Sequence, residues 1–286
     1  MLAIIDFAEA YAGRTFLAAT LIAVIEYVLP QQAQQPTISR FRGAAFWLVY
    51  IIITATGIVV FNQAWREAGL APAFHVDLTV LSQSTTPLLA SVGGIFAMLI
   101  GIQFGEFFYY WFHRLQHSVK FLWHFHAVHH SLRQMNAFNS NHHFTEELFR
   151  IPFITIPLSL LFSFEQGYVP WLFAALMGWQ GIYEHSATKV HFGWFRYLVP
   201  DNRFHRIHHS IEPRHFDRNF GSGSALWDFV FKTIYHPRND EWPQVGIEEV
   251  HEPRSIREFL FMPFSTLSDK KKSPKFQRAK DNAGQH

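Results

Sequence analysis

The 286-residue sequence contains no cysteine. That absence excludes disulfides, thiolate zinc sites and iron–sulfur clusters. Charge is sparse and balanced, with 24 Lys and Arg against 22 Asp and Glu, a formal net charge of +2. No long basic run occurs before the C-terminal tail, so nucleic acid is not an expected partner. The chain also lacks a P-loop, a strand followed by G-x-G-x-x-G, a G-x-S-x-G and an H-E-x-x-H. These gaps remove nucleotide binding, serine hydrolysis and zinc proteolysis from consideration. A soluble carboxylate di-iron bundle needs two Glu-x-x-His motifs projecting inward from bundle helices; here Glu212-x-x-His215 follows a proline-containing turn and Glu248-x-x-His251 lies far from the apolar runs.

What the chain does have is long apolar runs. Residues 16–29, FLAATLIAVIEYVL, approach the ~20 residues of a spanning helix when joined to the preceding YAGRT. Asp6 and Glu9 precede this run and no small-residue cleavage site follows, so it reads as a retained helix rather than a signal peptide. Glu26 inside it is expected near the interface. Residues 44–61 form a second spanning helix, and Pro87 opens a third that runs directly into His113. Gly93, Gly94, Gly101 and Gly105 on this third helix fit either close helix packing or local flexibility. Two shorter apolar segments, 151–164 and 168–183, flank Glu165-Gln166-Gly167, and Pro152 and Pro157 interrupt the first. A re-entrant or tilted hairpin fits them as well as two spans.

Basic residues orient the chain. Arg40 and Arg42 make the 30–43 loop positive, the 62–86 loop is net negative, and the tail carries Lys270, Lys271, Lys272, Lys275, Arg278 and Lys280. The positive-inside rule then puts the N-terminus outside and the polar regions after His113 in the cytoplasm. Asp217, Asn219 and the glycines 221 and 223 mark a turn before an amphipathic helix. Its Trp227, Phe229, Val230 and Phe231 either dip into the interface or pack on the bundle. From about 265 the composition becomes polar and charged, as in a disordered end.

Histidine dominates the polar part. Of 18 histidines, 14 lie between His113 and His215. They include His113-x-x-x-His117, His126-x-x-His129-His130 and His205-x-x-His208-His209. On a helix, positions i and i+4 share a face, so His113 and His117 can reach one ion. In H-x-x-H-H the i and i+3 positions share a face with i+4 beside them, and the three can divide between two ions. Glu106 and Tyr110 fall on the stripe of His113 and His117, placed to hydrogen-bond an imidazole and fix its orientation. A closed structural zinc site needs four ligands. The larger number here implies two metal ions at a membrane face, and oxygen-dependent redox chemistry on an unactivated C–H bond.

These groups, in this order and set among membrane segments, resemble the fatty acid hydroxylase/sterol desaturase superfamily. The likeness covers about 104–236: GEFFYYWFHRLQH, WHFHAVHHS with Asn136-Ala137, NHHFTEE, EHSATKVHFGW, RFHRIHHS, DRNFG and LWDFVFKT. It implies an all-α integral membrane helical bundle, with about three spanning helices plus a hairpin and a cytoplasmic histidine-rich cap. The expected layout is N-terminal transmembrane helices over 1–103, a catalytic region over 104–236 that includes the hairpin 151–183, and a cytoplasmic tail over 237–286. The implied ligands are His113, His117, His126, His129, His130, His205, His208 and His209, with His185 as a further ligand. His143 is implied as a ligand or as a group that hydrogen-bonds one, with Glu146 orienting it. His124, His142 and His191 are assigned hydrogen-bonding or packing roles.

The resemblance implies two irons per chain, with zinc an alternative in a purified sample, and an O2-dependent oxidoreductase that hydroxylates or desaturates a lipid. Electrons would come from an external donor of the cytochrome b5 or ferredoxin kind. The expected location is a multi-pass position in a bacterial inner membrane or the eukaryotic endoplasmic reticulum. The competing reading is a non-catalytic membrane metal-binding or transport protein, disfavoured because the histidines sit at helix ends rather than at mid-depth. There are departures from relatives. Glu106 stands where they commonly have Asp, Lys189 where some carry a further histidine, Asp201-Asn202-Arg203 where they have a Thr-Pro-containing approach, and Lys232 where they have glycine.

Overall fold

Three apolar helices build the frame: α1 (Leu2–Val28), α2 (Thr37–Ala68) and α3 (Pro87–Ser118). Each is long and apolar enough to cross a membrane. In this computed structural model, residues 2–32, 36–75, 86–163, 168–248 and 250–268 are described. Asp77, Glu165-Gln166-Gly167 and the basic tail from Lys270 lie outside them.

The apolar residues of the three helices point mostly outward. Only 22%, 33% and 17% of the most apolar stretch of each helix is buried, and Leu48, Ile52, Leu88, Ile95 and Phe96 are all exposed. Such a surface is stable against acyl chains and not against water. The protein is therefore a membrane protein.

Past α3, short helices form a cap. α4 (Lys120–His130) is followed by α5 (Thr145–Arg150), a π-helical turn over Ile151–Thr155 and α6 (Ile156–Leu161). The π turn contains Pro152, whose missing N–H locally breaks the α-helical ladder. The turn and α6, of 5 and 6 residues, together cover about 16 Å, roughly half the apolar thickness of a bilayer. Their return arm is α7 (Tyr168–Glu184). Then come α8 (Asn202–His208), α9 (Leu226–Val230) and α10 (Ile256–Ser268). The sole strand pairing among the described residues is a two-residue parallel contact of Phe74–His75 with Phe162–Ser163, so the fold is all-α as the sequence implied.

Two differences from the sequence reading concern the ends of the cap. α10 continues to Ser268, past the expected onset of disorder at 265. Its Phe259 and Met262 join Phe46, Trp123, Ala127 and Val128 in one core cluster, so apolar burial holds it against α4. α9 is one short turn with divided roles. Trp227 donates its Nε1–H to the Gln103 carbonyl at 3.0 Å and Phe231 stacks beside Tyr110, while Phe229 and Val230 stay exposed.

The cap is fastened to the frame at one end. Glu26 is buried. Its carboxylate pairs with Arg40 and accepts the backbone N–H groups of Ala137 at 3.0 Å and Ala187 at 2.8 Å. One side chain thus ties α1 to α2 and to the segments that follow the second histidine group and His185. Gly43 serves the same junction: a Cβ there would collide with the Phe138 carbonyl. Of the α3 glycines, Gly94 is buried and Gly105 lines the cavity described below.

Candidate metal centre

Two histidine groups form behind this junction. His113, His117, His126, His130 and His208 place one ring nitrogen each within 4.8 Å of all the others, and so do His129, His185, His205 and His209. All nine side chains are buried. α3 supplies His113 and His117, α4 supplies His126, His129 and His130, and α8 with the residue after it supplies His205, His208 and His209.

The two H-x-x-H-H segments are divided in reciprocal fashion. His126 and His130 serve the first group while His129 crosses to the second; His205 and His209 serve the second while His208 crosses to the first. The pair that acts together is i and i+4, not i and i+3. The rings of His130 and His209 stack at 4.3 Å where the groups meet.

Ring tautomers follow from what the other nitrogens touch. His113 donates Nδ1–H to the Phe220 carbonyl at 2.7 Å, and His126 donates Nδ1–H to the Glu146 carboxylate at 3.2 Å. Both Nε2 atoms are then bare in the neutral rings, yet they face each other at 3.1 Å. In the second group, His129 donates Nδ1–H to the Asn141 carbonyl and His185 donates to that of Gly181, and their bare Nε2 atoms stand 3.2 Å apart. Two lone pairs at that distance repel unless a cation lies between them. Ligands about 2.1 Å from one ion and at right angles to each other stand about 3.0 Å apart. Buried nitrogens without any hydrogen-bond partner, His117 Nε2 and His208 Nε2, belong to the first group as well, and His130 Nε2 stands 3.1 Å from His126 Nε2. The donor set therefore fits a metal ion in each group, and imidazole suits iron, copper, zinc or nickel.

Burial also sets the protonation. It lowers the pKa of His185 and of His208 to about 3 and holds His129, His130, His205 and His209 well below the ordinary histidine range, aided by their histidine neighbours. Neutral imidazole is the ligating form.

The predicted supporting residues act differently than expected. His143 joins neither group. Its Nε2–H faces the Leu260 carbonyl at 3.3 Å and its Nδ1 accepts from Thr145 Oγ1 at 2.7 Å, so both nitrogens are committed beside α10. Glu146 does not orient His143. It receives His126, His142 and Gln116, the last at 2.6 Å. Neither Glu106 nor Tyr110 hydrogen-bonds an imidazole. Glu106 accepts from Ser222 N at 3.1 Å, and Tyr110 bonds Thr233 Oγ1 at 2.9 Å. Both hold the segment whose Phe220 carbonyl orients His113. His142 sits in a hydrogen-bonding and packing position: its ring stacks on His129 at 3.9 Å and it bonds Glu146 four residues on. Glu184, buried beside His185, was missed. His124 bonds Thr266 and His191 receives Gly193 N, both outside the two groups.

The departures from relatives have local explanations. Asp201 caps α8 by accepting from the N–H groups of Arg203 and Phe204. Asn202 donates to the carbonyls of Ser186 and Thr188, tying the His185 segment to the His205 helix. Lys189 is exposed and contributes nothing to the second group. Lys232 has a φ of 59°, a left-handed conformation that glycine adopts without strain.

A cavity of about 410 Å³ reaches this centre. His142, His185 and His205 line it together with Glu106, Glu184, Ser222 and the apolar side chains of Trp47, Leu158, Met177 and Ile182. A second cavity of about 370 Å³ continues from it between α1, α2 and α7.

Ornithine lipid hydroxylase OlsE of Rhizobium tropici is 31% identical over 153 residues, covering 53% of this chain and 46% of that protein. The matched segment thus spans about half the length of that curated relative. No solved structure matches. Residues 98–233, which carry every histidine of both groups, match the fatty acid hydroxylase family.

Proposed function

We propose that this chain is a multi-pass membrane, di-iron, O2-dependent oxidoreductase that hydroxylates or desaturates a C–H bond of a lipid. The observation that carries the proposal is the pair of facing bare nitrogens in each group, His113 with His126 and His129 with His185. Bound iron would supply oxygen activation and the two-electron oxidation. Zinc can take the same nitrogens in a purified sample.

The chain's own part is to hold and to exclude. The Phe220, Asn141 and Gly181 carbonyls and the Glu146 carboxylate fix the tautomer and tilt of four ligand rings. Trp47, Leu158, Met177 and Ile182 keep water from the cavity and offer an apolar wall to an acyl chain. The relative's name, ornithine lipid hydroxylase, makes amino-acid-headed lipids the first substrates to try. Electrons would arrive from a separate carrier of the cytochrome b5 or ferredoxin kind. The positive 30–43 loop supports a cytoplasmic location for the centre.

The test is lipid mass spectrometry under 18O2 on cells expressing the wild type or His129→Ala. A labelled hydroxyl lipid, or a lipid two hydrogens lighter, is expected only with the wild type. A wild type that binds metal and leaves every lipid unchanged would instead favour a metal-binding or transport protein.

A further inference from the structure

Glu106 and Glu184 are both buried, at 6% and 1% exposure, and both line the cavity that His185 and His205 enter. They share one clamp. Ser222 N donates to Glu106 Oε2 at 3.1 Å, and Ser222 Oγ donates to Glu184 Oε2 at 2.7 Å. Gln180 Nε2 donates to Glu184 Oε1. Among the described residues no lysine or arginine forms an ion pair with either. The basic side chain in the cavity wall, Arg150, is paired with Glu147 at 2.9 Å. Two buried carboxyl groups without a countercharge are costly to ionise, so a cation that enters the cavity finds both already placed as partners.

A second observation is independent of the carboxylates. Ser140 lines the same cavity, is 6% exposed, and its Oγ has no hydrogen-bond partner. A buried hydroxyl is rarely left unsatisfied, so this one awaits a polar atom of an occupant. The adjoining cavity extends this site along Phe7, Ala18, Ile58 and Ile182, with room for an apolar tail.

We propose that Glu106 and Glu184 bind the ammonium of a lipid whose headgroup carries a primary amine, with Ser140 bonding a polar atom of the same headgroup. This assignment rests on the lipid-oxidation reading above and names its substrate class. A cationic nitrogen brings the countercharge the two carboxylates lack and strong N–H donors for their remaining lone pairs. A sterol or a free fatty acid brings neither.

The test compares two lipids that differ only in charge: a diacyl lipid with an amino-acid headgroup and a free amine, and its N-acetylated counterpart. Equilibrium binding is measured on the full chain, metal-loaded and in nanodiscs, with no reductant added, so the readout does not depend on turnover. The wild type is expected to prefer the free amine roughly tenfold or more. Glu184→Gln and Glu106→Gln, which keep an acceptor for Ser222, should bring that ratio towards one. Ser140→Ala, a small change, should weaken both lipids several-fold. Metal uptake of each variant at the wild-type level serves as the folding check. Equal wild-type affinity for the two lipids, or a ratio that survives in Glu184→Gln, overturns the assignment. A preference without any oxidised product leaves it standing and removes the hydroxylase reading. Equal turnover of the N-acetylated lipid does the reverse.

Discussion

The Nε2 atoms of His129 and His185 stand 3.2 Å apart although both rings give their Nδ1–H to backbone carbonyls. Fifty-six residues separate the two histidines in sequence. Their approach is stable only if a cation accepts both lone pairs, and metal analysis can count the consequences. Wild-type protein should retain about two metal ions per chain, one for each group. His185→Gln should lose about one of them, because only three imidazoles then remain in the second group. His143→Gln should retain both, since His143 faces Thr145 and Leu260. Loss of metal in His143→Gln, or full retention in His185→Gln, would contradict the assignment.

Acid should unfold the metal-free protein in a predictable window. In an unfolded chain these histidines titrate near ~6.5, whereas in the fold burial takes His185 and His208 down to about 3. Between those values the unfolded chain holds more protons than the folded one. Stability is therefore fully present above about pH 6.5 and is lost progressively as pH falls towards the folded values. The thermal unfolding midpoint of the chelator-treated protein should be flat at alkaline pH and fall steadily below about 6.5. A midpoint that holds constant down to about pH 5 would mean that the rings are not buried in neutral form.

Lys232 is a candidate for gain of stability. At a φ of 59° its Cβ crowds the backbone, at a cost of about 1–2 kcal/mol for a non-glycine residue. Its carbonyl accepts from Arg218 Nη1 at 3.1 Å, a bond that does not need the lysine side chain. Lys232→Gly should raise stability by up to about 1 kcal/mol, after the added entropy of the unfolded glycine is deducted. Chemical denaturation in detergent would read this. A destabilised variant would show that the side chain, not the backbone, matters there.

Local spacing carried part of this centre in readable form, and distance carried the rest. His113 with His117 was legible because i and i+4 differ by only about 40° around a helix. The same arithmetic explains why His126 acts with His130 while His129, about 60° from His126 on the other side, serves the second group. Long-range partners leave no such trace. The Phe220 carbonyl that orients His113 is 107 residues away, and backbone carbonyls are invisible to residue type. His143 was placed by resemblance to the family at HFTE, and only the turn before α5 decides which of the two adjacent rings faces the histidine groups. α10 was hidden in a segment read only as a tail, since its Phe259 and Met262 acquire a role only when α4 offers Trp123.

The junction at Glu26 yields the strongest stability prediction outside the centre. Its carboxylate satisfies the N–H groups of Ala137 and Ala187, which are buried, and pairs with Arg40. Glu26→Ala would strand both donors at about 1–3 kcal/mol each. It would also free the two segments that position the second histidine group, since His185 lies two residues before Ala187. Glu26→Gln keeps an acceptor oxygen but loses the charge, so its cost should fall between wild type and Ala, at about 1–2 kcal/mol. Both variants should lose metal from the second group before the first, because His113 and His117 on α3 do not depend on this anchor. Measuring metal content against mild denaturant would separate the two groups. Simultaneous loss from both would show that the fold responds as a single unit and that Glu26 has no selective hold on His185.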